Sequence, residues 1–204
     1  MSRRPAAIAL VCASKAMARE IEAKVKCSGL AAIRRRLVEI GARRVRSGLE
    51  RNVCFDTPES ALYAGDSLLR LRKCGPTVLT YKGPRANAGD KVKSRAEIEV
   101  EVGDFEAMRE LLAALGFVKV WAYEKKREEW KVGKTKICLD TLPRMGTYVE
   151  VEGKSEGELM RVLRKLGIAR SDATSRTYAE IWRDFVKGTD WRIPDMVFDR
   201  REGR

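Results

Sequence analysis

Residues 19–26, REIEAKVK, place Glu20, Glu22, Lys24 and Lys26 at every second position, with Ile21, Ala23 and Val25 between them. A period of two is the signature of a strand with one aliphatic and one charged face. The same alternation predicts strands near 20–27, 42–56, 67–73, 76–82, 94–102, 117–130, 134–140 and 147–153, in segments rich in Val, Leu, Tyr and Thr. Short polar breaks such as TPES, CGP and RANAGD suit antiparallel connections better than crossover helices.

A helical period interrupts the strands. After Ser28, Leu30, Ile33, Leu37 and Ile40 recur at helical spacing; after Asp104, so do Met108, Leu111, Leu112 and Leu115. Gly41 and Gly116 supply the stops. A third copy of this strand-then-helix unit starts at Glu150, where Ser155 and Glu158 read as a capping box and Gly167 as the end. A last helix is expected over 173–185, followed by a tail, GTDWRIPDMVFDRREGR, that mixes aromatics with charge.

Nearly every predicted strand has a charged face. Arg70 and Arg72 alternate with Leu69 and Leu71, and Arg95, Glu97, Glu99 and Glu101 alternate with Ala96, Ile98, Val100 and Val102. Lys125 and Arg127 share one parity, Asp140 falls with Lys136 and Cys138, and Glu150 and Glu152 flank Val151. For any single strand the ordinary reading is a half-exposed sheet with its charges in water. Three amphipathic helices, however, also need an apolar surface, and the aliphatic outside of a closed barrel would provide one. The charges would then line the interior, where each loses several kcal/mol of hydration unless partnered. Carboxylates two residues apart suit Mg²⁺ or Mn²⁺, and Arg and Lys suit phosphate oxygens, so a metal-bound polyphosphate would answer both sets.

Composition narrows the chemistry. A chain of 204 residues is about one domain, and its net charge of +13 favours anionic partners. With no histidine, imidazole ligands and Ser/Cys–His catalysis are excluded, leaving a carboxylate, a lysine or a metal-bound hydroxide as base. Cysteines 12, 27, 54, 74 and 138 form no CxxC pair and read as core thiols rather than zinc ligands. Glutamine is absent and asparagine occurs only at Asn52 and Asn87, a depletion of thermolabile amides that points to a thermophilic source. Residues 1–17 resemble a secretory signal superficially, but the apolar run from Ala6 to Ala13 is marginal for one and too short to span a bilayer. The expected organisation is an N-terminal extension over 1–17, with Met17 as an alternative start, one domain over 18–182, and a tail over 183–204. A cytoplasmic location and no membrane partner are expected.

At this point the residues match a family. Glu20, Glu22 and Lys24 form an ExExK signature, followed in order by NVCFDTP at 52–58, LLRLRK at 68–73, LTYKGP at 79–84, SRAEIEVEV at 94–102, EKKR at 124–127, CLD at 138–140 and YVEVEG at 148–153. Over roughly 18–182 the chain resembles the CYTH superfamily, the triphosphate tunnel metalloenzymes that include class IV adenylate cyclases, thiamine triphosphatases and inorganic triphosphatases. The resemblance implies an α+β fold, an eight-stranded antiparallel β-barrel with helices packed outside and the triphosphate held within. It implies phosphate binding by Lys24, Arg70, Arg72, Lys82, Arg95, Lys125 and Arg127, with Mg²⁺ or Mn²⁺ on Glu20, Glu22, Asp140, Glu150 and Glu152. Glu20, Glu22 and Lys24 would be the catalytic set, with Glu97, Glu99 and Glu101 as additional candidates; Lys126 points outward by parity. Cys54-Phe55, where relatives often carry Tyr-Phe, is a departure that bears on substrate choice.

Three functions follow for such a chain: hydrolysis of tripolyphosphate, thiamine triphosphate or a nucleotide; cyclisation of ATP with release of pyrophosphate; or noncatalytic binding of polyphosphate or RNA. The first is favoured. Nucleic-acid binding is disfavoured because no RNA-recognition motif is present and paired glutamates repel phosphate. The basic run at 34–36 reads as a solvated helix face, and Trp121, Trp130, Trp182 and Trp191 as packing residues rather than a base-stacking platform.

Overall fold

The computed structural model describes residues 18–85, 91–187 and 193–199, without the side chains of 18–20 and 93. The N-terminal extension and the end of the tail, including Trp191 and the basic run after Asp199, lie outside the described residues.

Eight long antiparallel strands close on themselves. They are β1 (Ala18–Cys27), β2 (Arg43–Asp56), β3 (Leu68–Lys73), β4 (Thr77–Arg85), β5 (Lys93–Val102), β6 (Val118–Val132), β7 (Thr135–Leu142) and β8 (Gly146–Gly153). The order β5-β4-β3-β2-β6-β7-β8-β1 is sealed by pairing of β1 with β5, and a two-residue strand β9 (Ala173–Thr174) lies against Lys24 and Val25 of β1. All eight predicted strands are present with ends within a few residues of expectation.

The helices are α1 (Ala31–Glu39), α2 (Ala61–Ala64), α3 (Phe105–Ala114), α4 (Glu156–Lys165) and α5 (Tyr178–Phe185). On one side, the apolar rows at helical spacing are Ile33 and Leu37 of α1 and Leu159, Val162 and Leu163 of α4, which pack on Val25, Ile137, Leu139, Val149 and Val151 from the outward faces of β1, β7 and β8. Full burial of each such aliphatic side chain stabilises by about 1.5–3 kcal/mol. A smaller cluster joins Leu112 of α3 to Phe55, Leu69 and Leu71 of β2 and β3. The aliphatic faces therefore point outward to the helices, and the charged faces point inward.

Several local expectations are corrected. Ser28 does not cap α1, which starts after Leu30 with no side-chain cap. Asp104 does cap α3, accepting from the Ala107 amide at 2.8 Å, but Leu111 and Leu115 remain on its exposed side because the helix meets the barrel only through the row containing Leu112 and Met108. At α4, Ser155 accepts from the Glu158 amide, while the Glu158 carboxylate reaches the Lys154 amide and Thr135 rather than Ser155. The complete capping box lies at α5: Thr177 accepts from the Glu180 amide at 3.2 Å and Glu180 from the Thr177 amide at 2.6 Å. That helix begins at Tyr178, not 173, and ends at Phe185 as expected. The predicted stops Gly41 and Gly116 have φ of 75° and 90°, the left-handed conformation that ends a helix without a Cβ penalty. Helix α2 follows the TPES segment expected to be only a polar break; the buried Asp56 carboxylate holds it by accepting from the amides of Thr57, Leu62 and Tyr63.

Part of the tail docks. Met196 bridges Tyr123 of β6, and Ile193 and Met196 are buried with Trp121 and Trp182. No helix among the described residues is long and apolar enough to cross a membrane.

Candidate functional site: a charged tunnel

Strand register brings the inward charges together in pairs. Lys24 of β1 lies opposite Glu150 of β8, Glu22 opposite Glu152, Arg127 of β6 opposite Asp140 of β7, Glu50 of β2 opposite Lys125, and Lys82 of β4 opposite Glu97 of β5. Four of these pairs are of unlike sign and favour their own register, whereas the like-charged Glu22 and Glu152 oppose it. The alternation that gives each strand an aliphatic outer face thus fixes a lattice of ion pairs within.

The cavity they enclose has a volume of about 890 Å³. Among the described residues, thirteen basic and nine acidic side chains line it. The surplus of cations suits a polyanion. All seven predicted phosphate-binding residues, Lys24, Arg70, Arg72, Lys82, Arg95, Lys125 and Arg127, are on this wall, as are Glu22, Glu97, Glu99, Glu150 and Glu152. Glu101 is exposed and not on the wall, and Glu20 has its backbone in β1 opposite Arg95 but a side chain outside the described residues. Lys126 faces outward, with its ammonium over the Phe198 ring, as parity requires.

At the centre, Lys24 Nζ lies 2.8 Å from Glu150 and 3.4 Å from Glu22. Burial alone would lower its pKa, but the fields of Glu150 and Glu22 prevail and hold the ammonium charged. Arg127 donates to Asp140 through Nε at 2.7 Å and a terminal nitrogen at 2.6 Å, and also pairs with Glu150. For Glu150, burial would raise the pKa, but Lys24, Arg127 and Lys125 hold the carboxyl well below the usual range.

Towards β3–β5, Arg70 donates to the Tyr123 hydroxyl at 3.2 Å, Arg72 pairs with Glu99 at 3.0 Å and Lys82 with Glu97 at 3.3 Å. Arg95 and Arg85 share Asp66, and Arg85 also reaches Glu180 of α5. At another part of the rim, Lys136 pairs with Glu152, and Arg46 with Glu129 at 2.9 Å.

Two groups were not anticipated from sequence. Glu50 is fully buried behind the wall, with Lys125 at 3.3 Å and Asn52 donating at 3.2 Å, while its second oxygen accepts no hydrogen bond among the described residues. Burial would raise its pKa, but Lys125, Arg127, Arg70 and Arg72 keep it ionised. Tyr178, the first residue of α5, donates its hydroxyl to Asp140 at 2.9 Å and presents its ring to Lys24 and Lys125 at 4.3 and 5.3 Å. The capping box at Thr177–Glu180 was the signal for Tyr178. Alternation of Glu50 with Asn52 and Cys54 was the signal for Glu50.

Asp140 is likewise fully buried and absent from the cavity wall, its oxygens engaged by Arg127, Lys125 and Tyr178. Glu50 and Asp140 therefore back the cations rather than face the cavity. Among the described residues, no three acidic or thiol side chains are gathered as an ion-binding group. The facing carboxylates Glu22 and Glu152, with Glu150 beside them on β8, are nonetheless hard oxygen donors on adjacent strands, the donor chemistry that Mg²⁺ or Mn²⁺ requires.

Of the four tryptophans, Trp182 packs under the tail and Trp130 beneath α1 and α4, whereas Trp121, also against the tail, lines the cavity as well. Cys54 and Cys138 are buried free thiols pushed up to about 12 by burial, so they are neutral at pH 7.

Comparison with known proteins agrees with this geometry. The family model described as the CYTH domain matches residues 18–178. A protein of Methanocaldococcus jannaschii whose name proposes adenylate cyclase activity is 29% identical over 173 residues, covering 79% of this chain and 97% of that one. Adenylate cyclase CyaB of Aeromonas hydrophila is 25% identical over 157 residues, covering 71% of this chain and 78% of that one. A solved structure from Hippeastrum, described as an adenylyl cyclase candidate with a dominant triphosphatase activity, superposes with a TM-score of 0.60 at 16% identity, covering 83% and 95% of the two chains.

Proposed function

The chain belongs to the CYTH domain family, and from that premise we propose that it is a divalent-metal-dependent triphosphatase acting on a triphosphate held inside the barrel. The observation that carries the reading is the convergence of Lys24, Arg70, Arg72, Lys82, Lys125 and Arg127 on one enclosed cavity that also carries Glu22, Glu150 and Glu152. A binder of polyanions needs only the cations. The paired carboxylates weaken such binding unless a metal ion sits between them and the phosphates.

In this reading Lys24, Arg70, Arg72, Lys125 and Arg127 bind phosphate oxygens and spread the charge that develops during phosphoryl transfer, with Lys82 and Arg95 extending the grip along the chain. Glu50, Asp140 and Tyr178 fix Lys125 and Arg127 in place, so the donors need little reorganisation when the substrate reacts. Glu22, Glu150, Glu152 and Glu20 would hold Mg²⁺ or Mn²⁺, which supplies Lewis-acid charge at the phosphates when bound. Substrate binding exchanges existing ion pairs for phosphate contacts, and the acids released in that exchange become available as oxygen donors.

Cyclisation of ATP is the second reading, favoured by the names of the two relatives. It requires a group to orient the ribose 3′-hydroxyl and receive its proton. At the apolar end of the cavity, the indole of Trp121 donates to the Pro194 carbonyl and Asp56 accepts three backbone amides. The Asp56 carboxylate is thus occupied by backbone donors rather than poised as a base for that proton.

Incubation of the protein with Mg²⁺ and either tripolyphosphate or ATP tests the reading. Orthophosphate release that stops on chelation and returns with Mg²⁺ or Mn²⁺ is expected. Cyclic AMP with pyrophosphate would transfer the assignment to cyclase, and high-affinity, salt-sensitive RNA binding without turnover of any triphosphate would replace both.

A further inference from the structure

One end of the tunnel is built by residues beyond the family match, which ends at 178. Strand β6 pairs with β2 along its whole N-terminal half, but β7 joins its other edge only from Lys126 onward. The segment 193–199 fills that open edge. The Met196 amide donates to the Ala122 carbonyl at 2.9 Å, and the Glu124 amide to the Met196 carbonyl at 2.8 Å. Asp195 accepts from the Ala122 amide at 2.8 Å, and the Pro194 carbonyl accepts from both Trp121 and Trp182, at 3.1 and 2.8 Å. Met196 is fully buried, and Ile193 reaches the cavity wall beside Cys54, Leu68, Val120 and Trp121.

Beside Ile193 the wall carries an apolar patch, Cys54, Leu68, Val120 and Trp121, that the cation-lined remainder lacks. Inorganic tripolyphosphate, charged along its entire length, gains nothing from such a surface. An organic group attached to the triphosphate would lose its apolar contact with water there. The cavity volume of about 890 Å³ lies in the range that holds a drug-sized ligand.

We propose that the C-terminal strap, 193–199, is a substrate-selecting wall: it completes the barrel along the open edge of β6 and seats the organic group of a triphosphate against Ile193. The proposal rests on the reading of the tunnel as a triphosphate site and adds which class of triphosphate enters. Selection depends on strap docking, because Asp195 and Met196 fix the position of Ile193 through their hydrogen bonds to the β6 backbone.

The test uses full-length protein and two variants, Ile193→Ala, which trims the wall, and Asp195→Ala, which weakens docking. kcat/KM is measured with Mg²⁺ for tripolyphosphate, ATP and thiamine triphosphate. The ratio for the faster organic substrate over tripolyphosphate should fall about tenfold or more in Ile193→Ala, the scale of a lost apolar pocket contact, and should fall in Asp195→Ala. An unchanged ratio in a variant that melts as a folded protein overturns the proposal, as does wild-type turnover of tripolyphosphate alone. Hydrogen exchange at the amides of Ala122, Glu124 and Met196 supplies a readout independent of turnover. Slower exchange with ATP or thiamine triphosphate than with tripolyphosphate is expected, and equal protection by all three overturns the proposal. Absence of turnover for all three substrates would instead refute the triphosphatase reading, while the exchange comparison still decides the role of the strap.

Discussion

Replacing Asp140 with asparagine removes a fully buried negative charge behind the tunnel wall while nearly preserving shape. Asp140 is fully buried and accepts two hydrogen bonds from Arg127 and one from Tyr178, with Lys125 at 3.4 Å. An asparagine amide turns an NH₂ group towards at least one of these donors and leaves Arg127 and Lys125 short of countercharge. Removing one partner of a buried ion pair typically costs about 3–5 kcal/mol, because the other charge is left uncompensated. For a chain of this size each kcal/mol corresponds to about 2–4 °C, so Asp140→Asn should lower Tm by about 6–20 °C in ligand-free protein at pH 7. Differential scanning calorimetry provides the assay. Adding tripolyphosphate should narrow the gap, since the polyanion supplies the missing charge. In a double-mutant cycle, adding Arg127→Gln to Asp140→Asn should cost less than the two single losses summed, by about 0.5–3 kcal/mol. A Tm within about 2 °C of wild type, or strict additivity, would refute the claim that Asp140 holds the cations in place.

Other outcomes follow from the same lattice. Glu22→Gln or Arg72→Ala should lower turnover about 10²-fold or more, the scale of one lost transition-state donor, and unchanged rates in both would remove the site assignment. Glu50 and Glu150 have folded pKa values held below those of an unfolded chain, so their contribution to stability is complete above about pH 4.3 and lost as pH falls further. Calorimetric Tm should hold between pH 7 and 5 and drop below about pH 4, and a Tm that is level down to pH 2 would contradict that linkage. Iodoacetamide at pH 8 should leave Cys54 and Cys138 unlabelled in native protein, as both thiols are buried and neutral. Mass spectrometry reads the result, and rapid labelling of either cysteine would contradict the burial of these thiols on the cavity wall.

The barrel was legible because most strands alternate over their central residues, although β2 and β4 carry register shifts at Arg44/Arg46, Cys54/Phe55 and Lys82/Arg85. Once the outward positions Val25, Leu71, Ile137 and Val151 are assigned to helix-covered cores, Lys24, Arg72, Lys136 and Glu152 must point inward. What alternation does not encode is depth. It places Asp140 among residues facing the ligand, whereas the structure sets it behind Arg127 and Lys125, a distinction that depends on side-chain length and on Tyr178 arriving from α5. Glu50 has the inward parity of β2 but lies within the GLERNVCFD run, where neighbouring Arg51 also alternates with polar positions and blurs the choice of face. Docking of the tail was equally unreadable, because it needs a free edge on β6 that exists only where β7 has ended.

The location of a bound triphosphate decides whether the barrel interior is the site. In a crystal structure with tripolyphosphate and a divalent ion, an interior site puts the phosphates inside the barrel against Lys24, Arg70, Arg72, Lys125 and Arg127, with the ion on the side of Glu22, Glu150 and Glu152. A triphosphate bound only to outward-facing basic residues, with the interior ion pairs intact, would contradict it.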